Sequence, residues 1–300
     1  MAMDRKTTNE KQRHLFMAKL RLCLELTKPR ILSMVLVTTT LGFFLGGRDF
    51  HPLPVFFFTL FGMGCATGGS AMLNNYLERN SDARMGRTRD RALPAGLIEP
   101  AQALMGGVGL VIFGVLLLVW TVNLLAGFLV LLAAFLYVLV YTPMKRISWL
   151  NTTLGAIPGA IPPVAGWVAA TGRIDPGAWV LFAILFAWQH PHFFAIAWMF
   201  RDDYRAAGFK MLPVVEPGGE STFRQTLAFS FLLVGLSLLP TVIGMAGWFY
   251  FCGALVLGLV MLAVAVVFAR NHGTADARRL LKASVLYLPL LLLFIILDAV

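Results

Sequence analysis

The sequence predicts an all-α, polytopic membrane bundle of about nine transmembrane helices around a central cavity open to the cytoplasmic interface. Three observations carry this reading. Of the 300 residues, 58% are hydrophobic and only 13% charged, whereas charged residues make up about 25% of an ordinary soluble chain. Mean hydropathy is +0.77, which excludes a disordered chain of low hydrophobicity. The apolar stretches are continuous and lack the two-residue alternation of membrane barrel strands. A helix crossing a hydrocarbon core about 30 Å thick needs about 20 apolar residues, and nine such helices with short loops fit the length.

Apolar spans are expected near 31–47, 55–77, 104–121, 124–142, 154–171, 177–199, 226–245, 247–269 and 279–297. A tight connection at Val122–Asn123 makes the third and fourth spans a helical hairpin. The break at Gly244–Gly247 does the same for the seventh and eighth. Residues 1–30 read as a cytoplasmic amino-terminal segment and 31–300 as a single transmembrane domain. Residues 8–27 suit an amphipathic surface helix, and without an apolar run in the first thirty residues no cleavable signal is expected.

Charge sets the orientation. Lys and Arg fall before span 1 and after spans 2, 4, 6 and 8 in 23 of 25 cases, leaving Arg48 and Arg173 on the other side. Positive charge marks the cytoplasmic face. The expectation is an integral protein of the bacterial inner membrane, amino terminus cytoplasmic and carboxyl terminus outside. The net charge of +10 does not indicate nucleic acid, because the basic residues sit in short segments between apolar runs, where they face lipid headgroups or bound anions. Cys23, Cys65 and Cys252 are scattered, with no spacing for zinc or a disulfide framework.

Two acidic groups lie where helices meet the basic face. After span 2 stand Asn74, Asn75, Glu78 and Asp82; after span 6 stand Asp202 and Asp203. Asn74, Glu78 and Asp82 are four residues apart and fall along one helix face. Oxygen-bearing side chains at a membrane interface suit a hard cation such as Mg²⁺, which is usually held by one or two carboxylates plus substrate phosphates. Arginines interleaved with them offer forked donors to phosphate oxygens. A solvated loop of exposed ion pairs is the alternative for either group alone. The second cluster on the same side favours a Mg²⁺–diphosphate site.

The stretch Asn74 to Gly96, NNYLERNSDARMGRTRDRALPAG, resembles the first signature of the UbiA-type intramembrane prenyltransferases. Its tail, MxRTxxRxLPxG, is similar to that of the protohaem IX farnesyltransferase (haem O synthase) branch. LTKPR at Leu26–Arg30, YTPMKR at Tyr141–Arg146, WQHPHFFAIAW from Trp188 and RDDYRAAGFKMLPVV from Arg201 extend the resemblance from about residue 22 to the end. It implies that 31–300 is one prenyltransferase domain, with Mg²⁺ as cofactor and farnesyl diphosphate, protohaem IX and membrane lipid as partners. Haem A synthase or terminal oxidase assembly factors are further candidate partners. It implies metal ligation by Asn74, Asn75, Glu78 and Asp82 of the first motif and Asp202 and Asp203 of the second. Glu78 stands where Asp is more usual, Asn75 where many members have Asp, and Phe200 and Tyr204 where other branches can have acids.

The implied reaction transfers farnesyl to a vinyl group of protohaem IX with addition of water. Departing diphosphate needs neutralisation by metal and cations, and the candidate clamp is Arg87, Arg91, Lys145, Arg146 and Lys210. His190 and His192 flank Pro191 within span 6. Ionisable residues inside a membrane are functional candidates, and two positions apart they point to different faces, so they are candidate haem contacts with His192 first. The Gly155–Gly166 stretch reads as a kinked or closely packed helix lining the cavity, with Gly68, Gly69 and Ser70 allowing similar packing. Two alternatives are prenylation of an aromatic quinone precursor and, in a different class, transport of anionic substrates.

Overall fold

The computed structural model describes residues 21–299; most of the surface helix expected over 8–27 lies outside them, though residues 21–26 are helical. Among the described residues nine helices are long and apolar enough to cross a membrane. They are α1 (Pro29–Gly47), α2 (Leu53–Asp82), α3 (Pro100–Thr121), α4 (Leu124–Ile147), α5 (Asn151–Thr171), α6 (Pro176–Met199), α7 (Glu220–Val242), α8 (Trp248–Asn271) and α9 (Thr274–Leu297). Two short helices, Arg201–Ala206 and Leu212–Val215, follow α6. No strand forms among the described residues beyond an isolated bridge, Ala246 to Ala299.

The expected spans match these helices, and the differences at their ends have local causes. Asn123 caps α4, its Oδ1 accepting from the Ala126 N–H at 2.8 Å while its Nδ2 donates to the Val168 carbonyl at 3.0 Å. That makes the α3–α4 hairpin tight, as an N-cap asparagine should. α7 ends earlier than expected, at Val242, because Gly244 adopts φ +73°, a left-handed turn that glycine enters at no steric cost. α2 continues past the apolar run to Asp82, so the first acidic motif is helical throughout.

α5 and α6 form the centre. α1 and α4 pack on α5, α7 and α9 pack on α6, and α3 lies against α2. Small residues allow the closest approaches. A methyl placed on Gly69 would meet the Gly107 carbonyl of α3 at 2.6 Å, and one on Gly166 of α5 would overlap the Thr39 carbonyl of α1. Both glycines bring backbones into contact in the way small residues do in lipid, where no hydrophobic force draws helices together. Large apolar side chains such as Trp120, Phe231 and Trp248 are exposed on the outer surface. Side by side around the bundle they form the hydrocarbon-facing belt of a membrane protein. Between α1 and α9 an apolar groove of about 310 Å³ opens sideways, lined by Leu36, Val37, Phe44, Leu292 and Ile296 among others.

Candidate functional site

The polar end of α2 builds the site. Asn74, Asn75, Glu78, Ser81 and Asp82 are all buried, although the apolar part of the helix has ended. Burying such groups is costly unless each finds a partner, and the partners come from three separate segments. The Lys28 ammonium, from the segment before α1, donates to Asn74 Oδ1 at 2.6 Å. The Lys145 ammonium at the end of α4 meets Glu78 Oε1 at 2.7 Å. Arg91, from the loop after α2, meets Asp82 Oδ2 at 2.9 Å. Arg146 adds a bond to Ser81 Oγ at 2.8 Å. Three cations thus sit on successive rungs of one helix face, the i, i+4, i+8 stripe expected from the sequence.

Other bonds hold the frame. Asn74 Nδ2 donates to Thr142 Oγ1 at 3.0 Å, and Asn75 Nδ2 to the Leu26 carbonyl at 2.9 Å. Asn75 Oδ1 is buried without a partner among the described residues. A buried acceptor left open is expensive, and an oxygen ligand waiting for a cation would account for it. With the Glu78 and Asp82 carboxylates on one face and the Asn75 amide oxygen open near them in sequence, the donor set fits Mg²⁺.

The expected ligands differ in what surrounds them. Among the described residues no group of three His, Cys, Asp or Glu side chains stands close enough to hold a metal alone. Glu78 and Asp82 are instead neutralised by Lys145 and Arg91. Asp202 is 81% exposed and pairs with Arg205 at 2.7 Å, a surface pair of little energetic weight. Asp203 is half-buried on the same short helix, and of the two it is the residue turned toward the bundle. Each of the two buried carboxylates is matched by one cation.

The loops after α2, α4 and α6 nevertheless meet. Met85, Ala197, Ala207, Phe209 and Met211 form one buried apolar cluster joining the loops after α2 and α6, and the end of α4 joins through the Lys145 carbonyl. The Arg87 guanidinium lies over the Phe200 ring at 4.7 Å and near Tyr204 at 5.8 Å, so the aromatics that stand in place of acids still receive a cation on their faces. Lys145 lies over Tyr141 at 4.6 Å. Lys210 donates its backbone N–H to the Lys145 carbonyl at 2.6 Å, while its side chain is exposed. Of the five expected clamp residues, Lys145, Arg146 and Arg91 therefore contact the stripe, Arg87 bridges the two motif loops, and Lys210 is tied in only through its backbone.

Sequence alone does not single out two features of the site. One is Lys28, within LTKPR. It adopts a left-handed conformation, φ 53°, uncommon for a residue with a side chain and often found at functional sites. Burial, reinforced by the Lys145 and Arg91 cations against the opposing pull of Glu78 and Asp82, lowers its pKa to about 8. The second is a π-helical segment, Leu136–Tyr141, inside α4. Pro143 lacks an N–H, so the regular ladder is broken there; the Thr142 N–H and Oγ1 both donate to the Tyr137 carbonyl instead. The wider turn sets Tyr137 and Tyr141 face to face, centroids 5.6 Å apart, beneath Lys145, as such bulges often do at functional sites. Pro143 in YTPMKR was its signal.

The histidines diverge as expected. His190 is fully buried; its Nδ1 bonds the Phe186 carbonyl at 2.8 Å, its Nε2 bonds Thr153 Oγ1 at 3.2 Å, and its ring stacks on Phe229 at 3.5 Å. Both nitrogens are engaged, which leaves none for an iron. His192 faces α9 instead, stacked on Trp188 at 4.7 Å with Nδ1 2.8 Å from Ser284 Oγ. It is half-buried.

Comparison with known proteins agrees with this geometry. The UbiA prenyltransferase family model matches residues 35–290. The chain is 44% identical over 284 residues to the protoheme IX farnesyltransferase of Solibacter usitatus, covering 92% of this chain and 97% of that one. It is 39% identical over 278 residues to the same-named protein of Aquifex aeolicus, with 92% and 94% covered. Among solved structures, the fold is similar to that of a digeranylgeranylglyceryl phosphate synthase, with TM-score 0.81 at 16% identity over 94% of this chain and 98% of that one. It is also similar to a UbiA homologue from Archaeoglobus fulgidus bound to DMAPP and Mg²⁺, with TM-score 0.65 at 16% identity over 91% and 98%. At such identities the structural likeness speaks for the fold alone.

Proposed function

The chain belongs to the UbiA prenyltransferase family, an enzyme embedded in the membrane, and from that premise we propose that it farnesylates protohaem IX. A farnesyl group passes from farnesyl diphosphate to a haem vinyl group, water adds, and diphosphate leaves. The observation that carries the proposal is the ladder on α2: Lys28 on Asn74, Lys145 on Glu78 and Arg91 on Asp82. An array of buried carboxylates and paired cations at the membrane face is what a metal-bound diphosphate needs, and the relatives' name supplies the prenyl donor and the acceptor.

Asn74, Asn75, Glu78 and Asp82 would hold Mg²⁺, with Asp203 from the second motif loop. Bound there, Mg²⁺ would offset the charge of the departing diphosphate. Lys28, Lys145, Arg91 and Arg146 exchange their amide, carboxylate and hydroxyl partners for phosphate oxygens, with Arg87 and Lys210 at the rim. The farnesyl chain extends from the site into the apolar bundle. Tyr137 and Tyr141 present ring faces near the cleaving bond, where a developing allylic cation gains modest cation–π stabilisation. The apolar bundle keeps bulk water from it. The vinyl π electrons then attack farnesyl C1. Water adds to the resulting cation beside the porphyrin and loses a proton, giving the hydroxyethylfarnesyl product. His192, seven residues and thus about 10 Å before α6 ends at Met199, contacts the haem. The basic face is cytoplasmic, which places the amino terminus inside and the carboxyl terminus outside the bacterial inner membrane.

The test is pyrophosphate release by purified protein in lipid nanodiscs with farnesyl diphosphate and Mg²⁺. Release that depends on added haem, with a farnesylated haem recovered by mass spectrometry, is the expected result. Release only with a hydroxybenzoate acceptor would assign a quinone-precursor enzyme instead, and no release with either acceptor would favour a transporter.

A further inference from the structure

The bonds around His192 form a chain that ends on α9. Ser284 lies on α9, fully buried. Its Oγ is 2.7 Å from the Leu281 carbonyl and 2.8 Å from His192 Nδ1. A serine hydroxyl has one proton. A carbonyl can only accept, so the Leu281 bond takes that proton. The His192 bond then exists only if Nδ1 carries the hydrogen and donates to Ser284 Oγ. The reverse arrangement, serine donating to Nδ1, would leave two oxygens 2.7 Å apart with no hydrogen between them. The same residue engages the neighbouring ring: the Trp188 indole N–H donates to the Ser284 carbonyl at 2.8 Å, and Trp188 stacks on His192 with an interplanar angle of 23°. Ser284 therefore fixes both the plane and the tautomer of the imidazole, and Nε2 carries the lone pair.

We propose that Ser284 is a positioning residue that holds His192 as the Nδ1–H tautomer so that Nε2 can ligate the iron of the haem substrate. The inference rests on the reading of His192 as the haem contact and adds the residue that prepares it. A histidine that binds a metal through one nitrogen commonly donates from the other to an oxygen acceptor, which orients the ring and raises its basicity; losing that acceptor typically lowers metal affinity 10–100-fold. His190 shows the contrast on the same helix. Its Nδ1 is likewise held, by the Phe186 carbonyl, but its Nε2 is taken by Thr153. Only His192 combines a held Nδ1 with an Nε2 that meets no partner among the described residues.

The test uses the full-length protein in nanodiscs, titrated with haem, comparing wild type with Ser284→Ala, Ser284→Thr and His192→Ala. Soret absorbance gives affinity, and resonance Raman spectroscopy of the ferrous complex gives the iron–histidine stretch. Wild type should show the stretch and His192→Ala should lack it. Ser284→Ala should bind haem about tenfold more weakly and shift the stretch to lower frequency, because the bond that raises imidazole basicity is gone. Ser284→Thr, which keeps a hydroxyl, should restore both. A serine that merely packs α9 against α6 would lower thermal stability in Ser284→Ala and leave the stretch of the folded protein unmoved, which would overturn the inference. A wild-type spectrum in His192→Ala would instead overturn the underlying reading of His192.

Discussion

Lys28 makes the diphosphate site pH-sensitive in a way that can be calculated. Its ammonium bonds Asn74 Oδ1 in the field of Glu78, Lys145, Arg91 and Asp82, and desolvation lowers its pKa to about 8. A bound diphosphate returns it toward the ordinary lysine value of about 10.4 or above. Between those two values, binding takes up a proton, so affinity falls as pH rises. With these end points, affinity for a non-hydrolysable farnesyl diphosphate analogue at fixed Mg²⁺ should fall about 25-fold between pH 7.5 and 9.5. Lys28→Arg stays charged across the range and should vary only about 2-fold. Lys28→Met should bind weakly and show the same flat profile. Stability moves the other way. The unfolded chain holds the Lys28 proton to higher pH than the folded one, so the ligand-free bundle gains stability as pH rises from about 8 towards 10.4. Isothermal titration and thermal unfolding in nanodiscs measure the two slopes. Wild-type affinity independent of pH over this window, or a Lys28→Arg profile that falls equally, would refute the placement of Lys28 in the clamp.

Lys145→Met leaves the Glu78 carboxylate buried and unpaired, which costs about 3–5 kcal/mol when one partner of a buried pair is removed; Glu78→Gln added to it should recover most of that stability but not pyrophosphate release, and a fully stable single variant would remove the pair from the frame. Asp203→Asn should lower pyrophosphate release at least about 100-fold, in the range of a lost charge-stabilising group, whereas the exposed Asp202→Asn should stay within a few-fold of wild type; equal losses would mean that both carboxylates reach the metal. Gly166→Val pushes α1 off α5 at the Thr39 carbonyl and should lower thermal stability by about 1–3 kcal/mol, the usual cost of overpacking, so an unchanged melting profile would contradict the close approach. Reporter fusions after Arg91, Arg146 and Lys210 should report cytoplasm and one after Gly172 the opposite side, and disagreement between Arg91 and Lys210 would separate the two motif loops.

The fold was legible because lipid imposes two coarse rules, a long apolar run for each crossing and cations on one side. Val122–Asn123 and Gly244–Gly247 were readable as breaks for the same reason: both are short polar or small-residue interruptions of continuous apolar sequence. The polar stripe on α2 followed from spacing alone. What sequence could not supply was pairing. Nothing in the order of residues says that Lys145 meets Glu78, 67 positions away, or that Lys28 meets Asn74, 46 away. Lys28 escaped because a lysine before a helix reads as a topology signal, and only its burial and left-handed backbone distinguish it. Asp202 and Asp203 looked equivalent because adjacent residues on a short helix diverge by about 100°, and which one turns inward depends on how Tyr204 and Phe209 pack.

The two substrates are assigned to opposite halves of the bundle. Every cation and carboxylate of the ladder comes from the segment before α1, from α2 and its loop, or from α4, and those elements gather around α5. The histidine with a free nitrogen, its serine and its stacked tryptophan lie on α6 and α9, within the half that gathers around α6. The charged site is therefore built on the α5 side and the His192–Ser284 contact on the α6 side. Such a division suits a reaction whose donor must ionise and whose acceptor must not. Diphosphate departure is favoured where fixed cations meet the leaving oxygen, while the porphyrin edge is better held where no charge competes for the nascent allylic cation. The second motif loop is the seam between them. It begins where α6 ends, carries Asp203, and is locked to the first motif loop by Arg87 over Phe200 and Tyr204.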